Sequence, residues 1–491
     1  MNGLILFEDD HLLVVNKPSG INTHKPDRFA PDGIHEWLQK RLGKLAILHR
    51  LDKDTSGVLL FGKTREANQS LARQFEWRTL RKEYLLLSAL KPTRTLCNAR
   101  SPNAETAFEY IEPHAGVFLT RAKPVTGRTH QIRLHASDCG FPILGDREYG
   151  GVPAARLMLH AHRLTLEHPT SGERLTLTAP VPGVFEDLAK LTAAREFREL
   201  LFTGTDCDAY RLVSGAADAM PEVIVDRLAD HALVQWQSEV ESAGVYECLG
   251  ADVVYAQTVL KGKRSAPHLV WGAAKPVVAR EHGVKYLIRF DEGLSAGLFL
   301  DQRENRRRLL RMRLAGKSVL NCFAYTCGFS VAAALAGART TSLDLSRKYL
   351  DWGKENFRLN GLVPEEHEFV FGDAFEWLRR FAKREQRWDM VILDPPTFST
   401  TKHGRAFQAE RDYGELVALA APLVAADGLL FCSTNQRTFT AERFETAVQG
   451  AAEKAGRRIG EVEFETLPFD YRVATGEQAY LKTLWVRLKG G

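Results

Sequence analysis

The sequence predicts a multidomain protein with an α+β amino-terminal domain, a small α/β middle domain and a Rossmann-like α/β carboxyl-terminal domain. Its 491 residues exceed what one hydrophobic core usually supports. Between residues 4 and 178, short apolar runs separated by Gly, Pro, Asp and Asn are typical of strands and turns. From residue 317 onward, strand patterns alternate with helical patterns, which favours a doubly wound parallel sheet.

The amino-terminal domain is predicted to contain a mainly antiparallel sheet, because few long helical patterns separate its apolar runs. The earliest runs are ILFE, LLVVNK and GVLLFGK. Further runs lie at 84–90, 106–122 and 164–178. The pattern becomes helical after two prolines in PVPGVFEDLAKLTAAREFRELL. We therefore predict that the first domain covers 1–195.

The rest of the chain is predicted to form two domains, over 196–285 and 286–491. The middle domain has a mixed pattern, with strands expected at 221–226, 232–237 and 284–290. The carboxyl-terminal domain has strands expected at SVLNCF, TTSLDL, EFVFGD, DMVILD and GLLFCS, with helices between them. This alternation predicts a sheet whose strands end at one common edge.

The composition is that of an ordinary globular protein, with 44% hydrophobic and 26% charged residues. No apolar run approaches the roughly 20 residues that span a bilayer, and the first ten residues lack a signal-peptide pattern. We therefore expect a cytoplasmic location. The seven cysteines show no zinc-ligand spacing, so we expect free thiols and no metal site.

Positive charge is mild overall but clustered locally. The net charge of +5 fits a polyanionic partner, and it fits many metabolic enzymes almost as well. Basic clusters lie at KGKR (261–264) and DQRENRRRLLRMR (301–313). In the second cluster, Arg303, Arg307 and Arg311 fall on one helix face. This face either contacts RNA or is simply solvated.

Three stretches of the amino-terminal domain crowd charged residues between apolar strands. They are HRLDKDTSG (49–57), RKEY (81–84) and GRTHQIRLH (127–135). Such crowding is more typical of a site than of a fold. The alternative is that His49, Arg50, Asp52 and Arg133 form surface ion pairs.

These stretches, together with VVNKPSGINTH and PILGDREYG, resemble the RluA family of pseudouridine synthases. The resemblance covers nearly all of residues 1–180. It implies that Asp52 is the catalytic aspartate, that Tyr84 is the active-site tyrosine and that Arg133 pairs with Asp52. It also implies that the reaction needs neither a cofactor nor a metal.

The implied reaction detaches uracil from the ribose at N1, rotates the base and rejoins it through C5. A carboxylate such as Asp52 can act as a nucleophile in such a reaction or assist departure of the base. A neighbouring guanidinium would keep the carboxylate ionised, which suits Arg133. Tyr84 would stack on the base and could assist proton removal from C5. Arg50 could hold phosphates or replace a flipped base.

A second site is predicted where the strands of the carboxyl-terminal domain end. Asp344, Asp373 and Asp394 each follow a strand, so the doubly wound topology brings them to one crevice. Asp344 lies 16 residues after Gly328, where a ribose-binding acid is expected. A generic dinucleotide fold is the alternative, but GxGxxG is absent, which favours a cofactor without a pyrophosphate.

The segments GLFLDQRENRR, VLNCFAYTCGFS, LDLSRKYLDWGKENFRLNG and DPPTFS resemble the RlmI and RlmK group of class I ribosomal RNA methyltransferases, over about 284–491. The resemblance implies S-adenosylmethionine as cofactor, with Asp344 on the ribose, Asp373 on the adenine and Phe323 to Gly328 on the methionine part. The implied cofactor residues are Gln302, Arg303, Asn321, Phe323, Ala324, Tyr325, Thr326, Gly328, Asp344, Leu345, Ser346, Asp373, Ala374 and Asp394. The residues implied to face the target base are Asp394, Pro395, Pro396, Phe398 and Asn435.

The methylated base is predicted from the strand LLFCSTNQRTF. Cytosine-C5 members of the group carry a nucleophilic cysteine where Asn435 stands here, and SxNxRxF at 433–439 resembles the 7-methylguanine branch. Cys432 lies three residues away, on the other face of a regular strand. Guanine N7 is already nucleophilic and needs chiefly positioning. We therefore favour guanine N7 over cytosine C5.

Together these patterns predict a bifunctional enzyme acting on large-subunit ribosomal RNA. Two alternatives remain open: transfer RNA as the substrate, and one half retained only as an RNA-binding module. Asp52, Tyr84 and Arg133 in the first half, and Asp344 and DPPTF in the second, argue for two active sites.

Overall fold

The computed structural model describes residues 3–93, 96–97, 104–114, 116–187, 189–239, 241–260, 263–293, 295–400, 406–474 and 476–490. Within these ranges, the side chains at 97, 186, 187, 243, 398–400 and 406 are not described. Of the predicted basic cluster KGKR, Lys261 and Gly262 lie outside the described residues. No described helix is both long and apolar enough to cross a membrane.

The amino-terminal region is built on one ten-stranded sheet. Its strands are β1 (Ile5–Glu8), β2 (Leu12–Lys17), β3 (Ala46–Ile47), β4 (Ser56–Gly62), β5 (Arg81–Ser88), β6 (Leu96–Cys97), β7 (Thr106–His114), β8 (Val117–Pro124), β9 (Leu159–Glu167) and β10 (Arg174–Thr178). Its helices are α1 (Ile34–Leu42), α2 (Arg65–Glu76), α3 (Gln131–Asp138), α4 (Val184–Asp187) and α5 (Lys190–Phe202).

The order of this sheet is β1-β2-β4-β9-β5-β8-β7-β6, with β3 beside β4 and β10 beside β9. Every pair is antiparallel except β4 with β9, so the predicted mainly antiparallel sheet is confirmed. Strands β2 and β4 are buried along their whole length, because their nearly continuous apolar sequences pack on both faces of the sheet.

The middle region contains a six-stranded sheet and a separate hairpin. Its elements are β11 (Ala209–Ser214), β12 (Val223–Leu228), β13 (His231–Trp236), α6 (Ala243–Cys248), β14 (Val253–Leu260), β15 (Lys263–Arg264), β16 (His268–Trp271), β17 (Val277–Glu281) and β18 (Val284–Ile288). Helix α5 runs through residues 195 and 196 without a break. The predicted limit between residues 195 and 196 thus falls inside a helix, and the three domain ranges stay predictions.

The carboxyl-terminal region is a doubly wound α/β unit. Its helices are α7 (Arg303–Arg311), α8 (Gly328–Leu335), α9 (Arg347–Leu359), α10 (Ala374–Lys383), α11 (Ala409–Ala420) and α12 (Ala441–Lys454). Its strands are β19 (Ser318–Cys322), β20 (Arg339–Asp344), β21 (Glu368–Phe371), β22 (Trp388–Leu393), β23 (Phe398–Thr400), β24 (Ala406–Gln408), β25 (Val424–Thr434), β26 (Arg458–Glu465) and β27 (Lys482–Lys489).

The main sheet of this region has the order β21-β20-β19-β22-β25-β27-β26. The pairs from β21 to β25 are parallel, and β27 runs antiparallel to both of its neighbours. This confirms the predicted Rossmann-like class. Because the parallel strands end at one edge, the loops after β19, β20, β21 and β22 form a single crevice there.

The basic helix α7 lies where the three regions meet. On the predicted face, Arg303 forms an ion pair with Asp470, Arg307 forms one with Glu304 at 3.0 Å, and Arg311 donates to the Lys40 carbonyl at 3.4 Å. The predicted solvated or RNA-contacting face of this helix therefore largely serves contacts within the protein.

The connection between β26 and β27 joins all three regions. Phe469 stacks on Trp37 of the amino-terminal region at 5.0 Å between ring centroids. Arg303 pairs with Asp470, whose carboxylate also accepts from the backbone nitrogen of Arg211 at 3.0 Å. Phe469 and Asp470 of the β26–β27 connection therefore contact both the amino-terminal and the middle region.

Candidate active sites

Asp52 lies in the loop between β3 and β4, at the wall of a cleft of about 910 Å³. Loops 22–26, 47–53 and 125–130 line this cleft together with α2 and β5. The lining contains five cationic side chains, from Arg50, Lys53, Arg78, Lys82 and Arg128. Asp52 is the single acidic residue in that described lining. Such a cleft suits a polyanionic ligand with one reacting centre beside the carboxylate.

Tyr84 lines the same cleft from strand β5. Burial, followed by the negative charge of Asp52, raises the pKa of the Tyr84 phenol above its ordinary value. The phenol is therefore protonated at neutral pH. It can stack on a base and donate a hydrogen bond, but it is poorly suited to remove a proton as phenolate.

Arg133 does not pair with Asp52, and the predicted pairing is wrong for this structure. Its Nε and Nη2 donate to the Asp146 carboxylate at 2.8 Å each, and Nη2 also donates to Glu148 at 3.1 Å. The Asp146 side chain is completely buried, so it needs a charged partner. Burial would lower the pKa of Arg133, but Asp146, Asp52 and Glu148 together raise it.

His130 is the side chain whose imidazole the structure places next to Asp52. Its Nε2 lies 3.9 Å from Asp52 Oδ1, and its Nδ1 lies 2.9 Å from the Tyr149 hydroxyl. His130 adopts a left-handed φ of 53° at the start of α3, which is uncommon for a side chain other than glycine. The GRTHQIRLH motif contained this histidine, but its chemistry alone did not distinguish it from its neighbours.

Two other cleft residues have different roles: one lies at the exposed rim, and the other supports the structure of the cleft wall. Arg50 is exposed at the rim, where a phosphate can reach it. His49 is stacked on Phe75 and accepts from the Leu60 nitrogen at 3.1 Å. Burial, with a contribution from Lys82, lowers the pKa of His49 to about 3, so it is a neutral structural residue. The interpretation of these residues as one set of surface ion pairs is therefore wrong.

The second candidate site follows strands β19 and β20. The Asp344 carboxylate accepts from the backbone nitrogens of Tyr325 and Ser346 at 2.8 Å each. Burial raises the pKa of Asp344, and these two hydrogen bonds oppose that shift. Ser346 also caps α9, and Asp373 caps α10 by accepting from the Glu376 nitrogen at 3.0 Å. These contacts orient both carboxylates at the edge of the crevice.

The loop after β19 has an unusual backbone. Phe323, Tyr325 and Cys327 have φ angles of 61°, 49° and 63°, in the left-handed region. Each such residue costs roughly 1–2 kcal/mol. The surroundings hold the loop in place: Ala324 donates to the Leu343 carbonyl at 3.0 Å, and the Thr326 hydroxyl donates to the Gly297 carbonyl at 2.6 Å. Strain of this kind concentrates at ligand-binding sites.

Several features of the crevice fit S-adenosylmethionine. Leu345 and Phe371 are large apolar residues that remain 42% and 43% exposed beside Asp344 and Asp373, where an adenine ring would cover them. The Asn321 amide donates to Ser330 at 2.9 Å, while its buried Oδ1 has no partner among the described residues. Gly328 and Ala374 are the first residues of α8 and α10, where the backbone approaches the crevice.

Gln302 and Arg303 face different directions, although both were predicted to bind the cofactor. Gln302 Nε2 donates to Asp394 Oδ1 at 3.1 Å and to the Ser433 hydroxyl at 2.7 Å. Arg303 instead pairs with Asp470, so its predicted role in cofactor binding is wrong. The reason is geometric, since successive residues at the start of a helix do not share a face.

The predicted base-facing residues lie at the ends of β22 and β25. Burial raises the pKa of Asp394 to about 6, against opposing hydrogen bonds from Ser433 and Gln302. Pro395 is buried, Pro396 is exposed, and the exposed Asn435 accepts a hydrogen bond from the Thr397 hydroxyl. The backbone of Phe398 begins β23, but its side chain lies outside the described part of the chain.

Cys432 is not available as a nucleophile in this structure. It is completely buried and lies opposite Leu393 in the β22–β25 pair. Burial raises the pKa of its thiol well above the ordinary value, which disfavours the reactive thiolate. The six cysteines with described side chains are all free thiols.

Comparison with known proteins matches two different families to two parts of the chain. The model of the RNA pseudouridylate synthase family matches residues 11–138, and that of the S-adenosylmethionine-dependent methyltransferase family matches residues 261–458. YwbD of Bacillus subtilis is 33% identical over 326 residues, which cover 62% of this chain and 80% of YwbD. Ribosomal RNA large subunit methyltransferase I of Aeromonas salmonicida is 31% identical over 319 residues, again covering 62% and 80%.

The solved structure of SMU.776, complexed with SAH, has a TM-score of 0.54 and 24% identity, and covers 66% of this chain and 86% of that one. It supports the fold. Fold and family matches together define an RNA-modifying enzyme with two activities, pseudouridine synthase and S-adenosylmethionine-dependent methyltransferase. The chain belongs to the family of ribosomal RNA large subunit methyltransferases and carries an RNA pseudouridylate synthase region at its amino-terminal side.

Proposed function

We propose that the chain converts uridine to pseudouridine at Asp52 and methylates guanine N7 of large-subunit ribosomal RNA beside Asp394. The first assignment is carried by the position of Asp52 as the single acid in a described cleft lining that contains five cations. The second is carried by Asn435 beside the DPPT loop, with Cys432 buried. The relatives named for large-subunit ribosomal RNA support that choice of substrate.

In the proposed isomerisation, the cationic rim binds RNA phosphates and the target uridine enters the cleft. The Asp52 carboxylate attacks the sugar or assists departure of uracil, while the protonated Tyr84 holds the base by stacking. Uracil then rotates, and C5 bonds to the sugar carbon while any bond from Asp52 to that carbon breaks. The proton on C5 is released to solvent, and N1 takes up a proton in exchange. The residues of the chain suffice for these steps, so we propose that this site works without a cofactor.

In the proposed methyl transfer, Asp344 binds ribose hydroxyls, Asp373 binds the adenine amine and the loop from Phe323 to Gly328 holds the methionine part. Bound S-adenosylmethionine supplies an activated methyl group. Gln302 holds Asp394 at the crevice. The Asn435 amide can donate to guanine O6, which neighbours N7 on the base edge. Methylation at N7 then requires alignment rather than a covalent adduct.

The choice of base is tested by nucleoside mass spectrometry after incubating the protein with large-subunit ribosomal RNA and S-adenosylmethionine. We expect 7-methylguanosine, with activity retained in Cys432→Ala and reduced in Asn435→Ala. The cysteine variant is the matched control, because Cys432 lies in β25, three residues before Asn435. Production of 5-methylcytidine that is lost in Cys432→Ala would contradict guanine N7. Modification of transfer RNA alone would contradict the ribosomal substrate.

A further inference from the structure

The loop that carries Asp52 is held by a second loop, residues 17–23. Five hydrogen bonds join the two loops through the backbone on both sides of Asp52. Four run to carbonyl groups: from Lys17 Nζ to Lys53 (3.0 Å), from Ser19 Oγ to Asp54 (2.7 Å), from the Gly20 nitrogen to Lys53 (2.8 Å) and from Thr23 Oγ1 to Leu51 (2.9 Å). The fifth runs from the Leu51 nitrogen to Thr23 Oγ1 (3.2 Å). The position of loop 17–23 therefore fixes the position of Asp52.

This supporting loop rests on Arg472, which belongs to the β26–β27 connection of the carboxyl-terminal region. A Cβ atom on Gly20 would lie 1.8 Å from Arg472 Nη2, so the guanidinium packs directly against the glycine backbone. Gly20 also has a φ of 83°, which few other residues adopt. Next to this contact, Lys53 Nζ donates to the Val473 carbonyl at 3.2 Å. The loop 17–23 thus contacts Arg472, and the loop that carries Asp52 contacts Val473.

Arg472 is itself fixed by the middle region. Its Nη1 donates to Asp218 at 2.9 Å, and the two side chains are only 9% and 0% exposed. Asp218 is in turn held by Arg198 and by the Ser214 nitrogen, at 2.8 Å and 2.7 Å. Because both ends of the contact are immobilised, the guanidinium is a rigid support for the Gly20 loop rather than a loose surface side chain.

We propose that Arg472 is a positioning residue for the pseudouridine synthase site. The carboxyl-terminal region supplies the surface that supports the Asp52 loop, so the geometry of isomerisation depends on a side chain more than 400 positions away in sequence. The inference rests on the proposed role of Asp52. It implies that the amino-terminal active site depends on the carboxyl-terminal region for its structure, and that the two are not merely joined in one chain.

The test uses the full chain with large-subunit ribosomal RNA transcribed with 5-tritiated uridine, because isomerisation releases tritium from C5. Steady-state kcat and KM are measured for the wild type, Arg472→Ala, Arg472→Lys and Lys40→Ala. Lys40 is the matched control: it pairs with Glu465 at 2.8 Å across the same two regions but does not line the Asp52 cleft. Methyl transfer and thermal unfolding are followed in parallel.

We expect Arg472→Ala to lower the isomerisation kcat by about tenfold to a hundredfold, with KM nearly unchanged, since small misplacements of a reacting group have effects of this size. Arg472→Lys should restore part of kcat, because it keeps a cation for Asp218. Lys40→Ala should leave kcat unchanged. Methyl transfer should persist in all variants.

A wild-type kcat in Arg472→Ala would overturn the inference. If the alanine variant loses thermal stability, Arg472→Gln keeps the side-chain stem, and a wild-type kcat in that folded variant would overturn it equally. An equal loss of kcat in Lys40→Ala would also overturn it, since disturbing the interface anywhere would then suffice. Asp52→Asn is assayed alongside: activity in that variant would reject the proposed catalytic role of Asp52, which is a different failure.

Discussion

The two candidate sites use aspartate in opposite ways. Among the described residues, the basic side chain within 4 Å of the Asp52 carboxylate is His130, whose Nε2 lies 3.9 Å away. In the crevice, Asp344 accepts two backbone hydrogen bonds, and Asp394 is held by Gln302. A carboxylate that keeps its lone pairs free can react, whereas one oriented by donors binds a ligand in a set position. Residue type alone therefore does not separate these two roles.

The largest expected effect comes from Asp52→Asn. This change removes the reactive carboxylate with almost no change in size, so isomerisation should fall by about 10⁴-fold or more, as when other enzymes lose a nucleophile. Methyl transfer should continue. Tritium release from C5-labelled RNA measures the first activity, and incorporation of labelled methyl groups measures the second.

Asp54→Asn is the control for this prediction, because it makes the same chemical change two positions away in the same loop. It should retain isomerisation, since Ser19 contacts the backbone carbonyl of Asp54 rather than its side chain. Equal losses in the two variants would mean that charge in the loop matters and that Asp52 has no special role.

A smaller effect is expected in the crevice from Asp344→Ala. Losing charge-assisted contacts to the ribose should weaken S-adenosylmethionine binding by about 1.5–3 kcal/mol, measured by calorimetry. Asp351→Ala on α9 is the control, because that carboxylate pairs with Lys354 on the surface. Unchanged affinity in Asp344→Ala would place the cofactor elsewhere. Asp344 would then not be a ligand-binding carboxylate, and the contrast with Asp52 would fail.

Much of the fold could be predicted because its signals are local. Regular alternation of strands and helices after residue 317 determined the doubly wound class, and that class brings the acids after β20, β21 and β22 to one edge. The cleft could be anticipated at Asp52 because three motifs crowd polar residues between apolar strands. Periodicity and topology are sufficient for this level of description.

The choice of ion-pair partners could not be predicted, because several partners have the same chemistry. Arg133 could have paired with Asp52, yet it binds Asp146, whose completely buried carboxylate gains more from a partner. Arg303 pairs with Asp470, 167 positions away in sequence. Such contacts depend on how distant segments pack, and the sequence around each arginine carries no signal of that packing.

The smallest expected effect concerns the pH dependence of stability at Asp394. Its pKa is raised to about 6 in the folded protein, from an ordinary value of 3.8. The stabilisation linked to the proton is therefore complete below the lower value and is lost as pH rises through 6. Between pH 5 and pH 7, the free energy of unfolding should fall by about 1 kcal/mol more in the wild type than in Asp394→Asn. Chemical denaturation at both pH values measures this difference, and Asp351→Asn, an exposed carboxyl on α9, should follow the wild type. If Asp394→Asn also follows the wild type, the Asp394 carboxyl titrates as it does in the unfolded chain. Burial next to Gln302 would then not distinguish Asp394 from an ordinary carboxylate, and this difference from Asp52 would be lost.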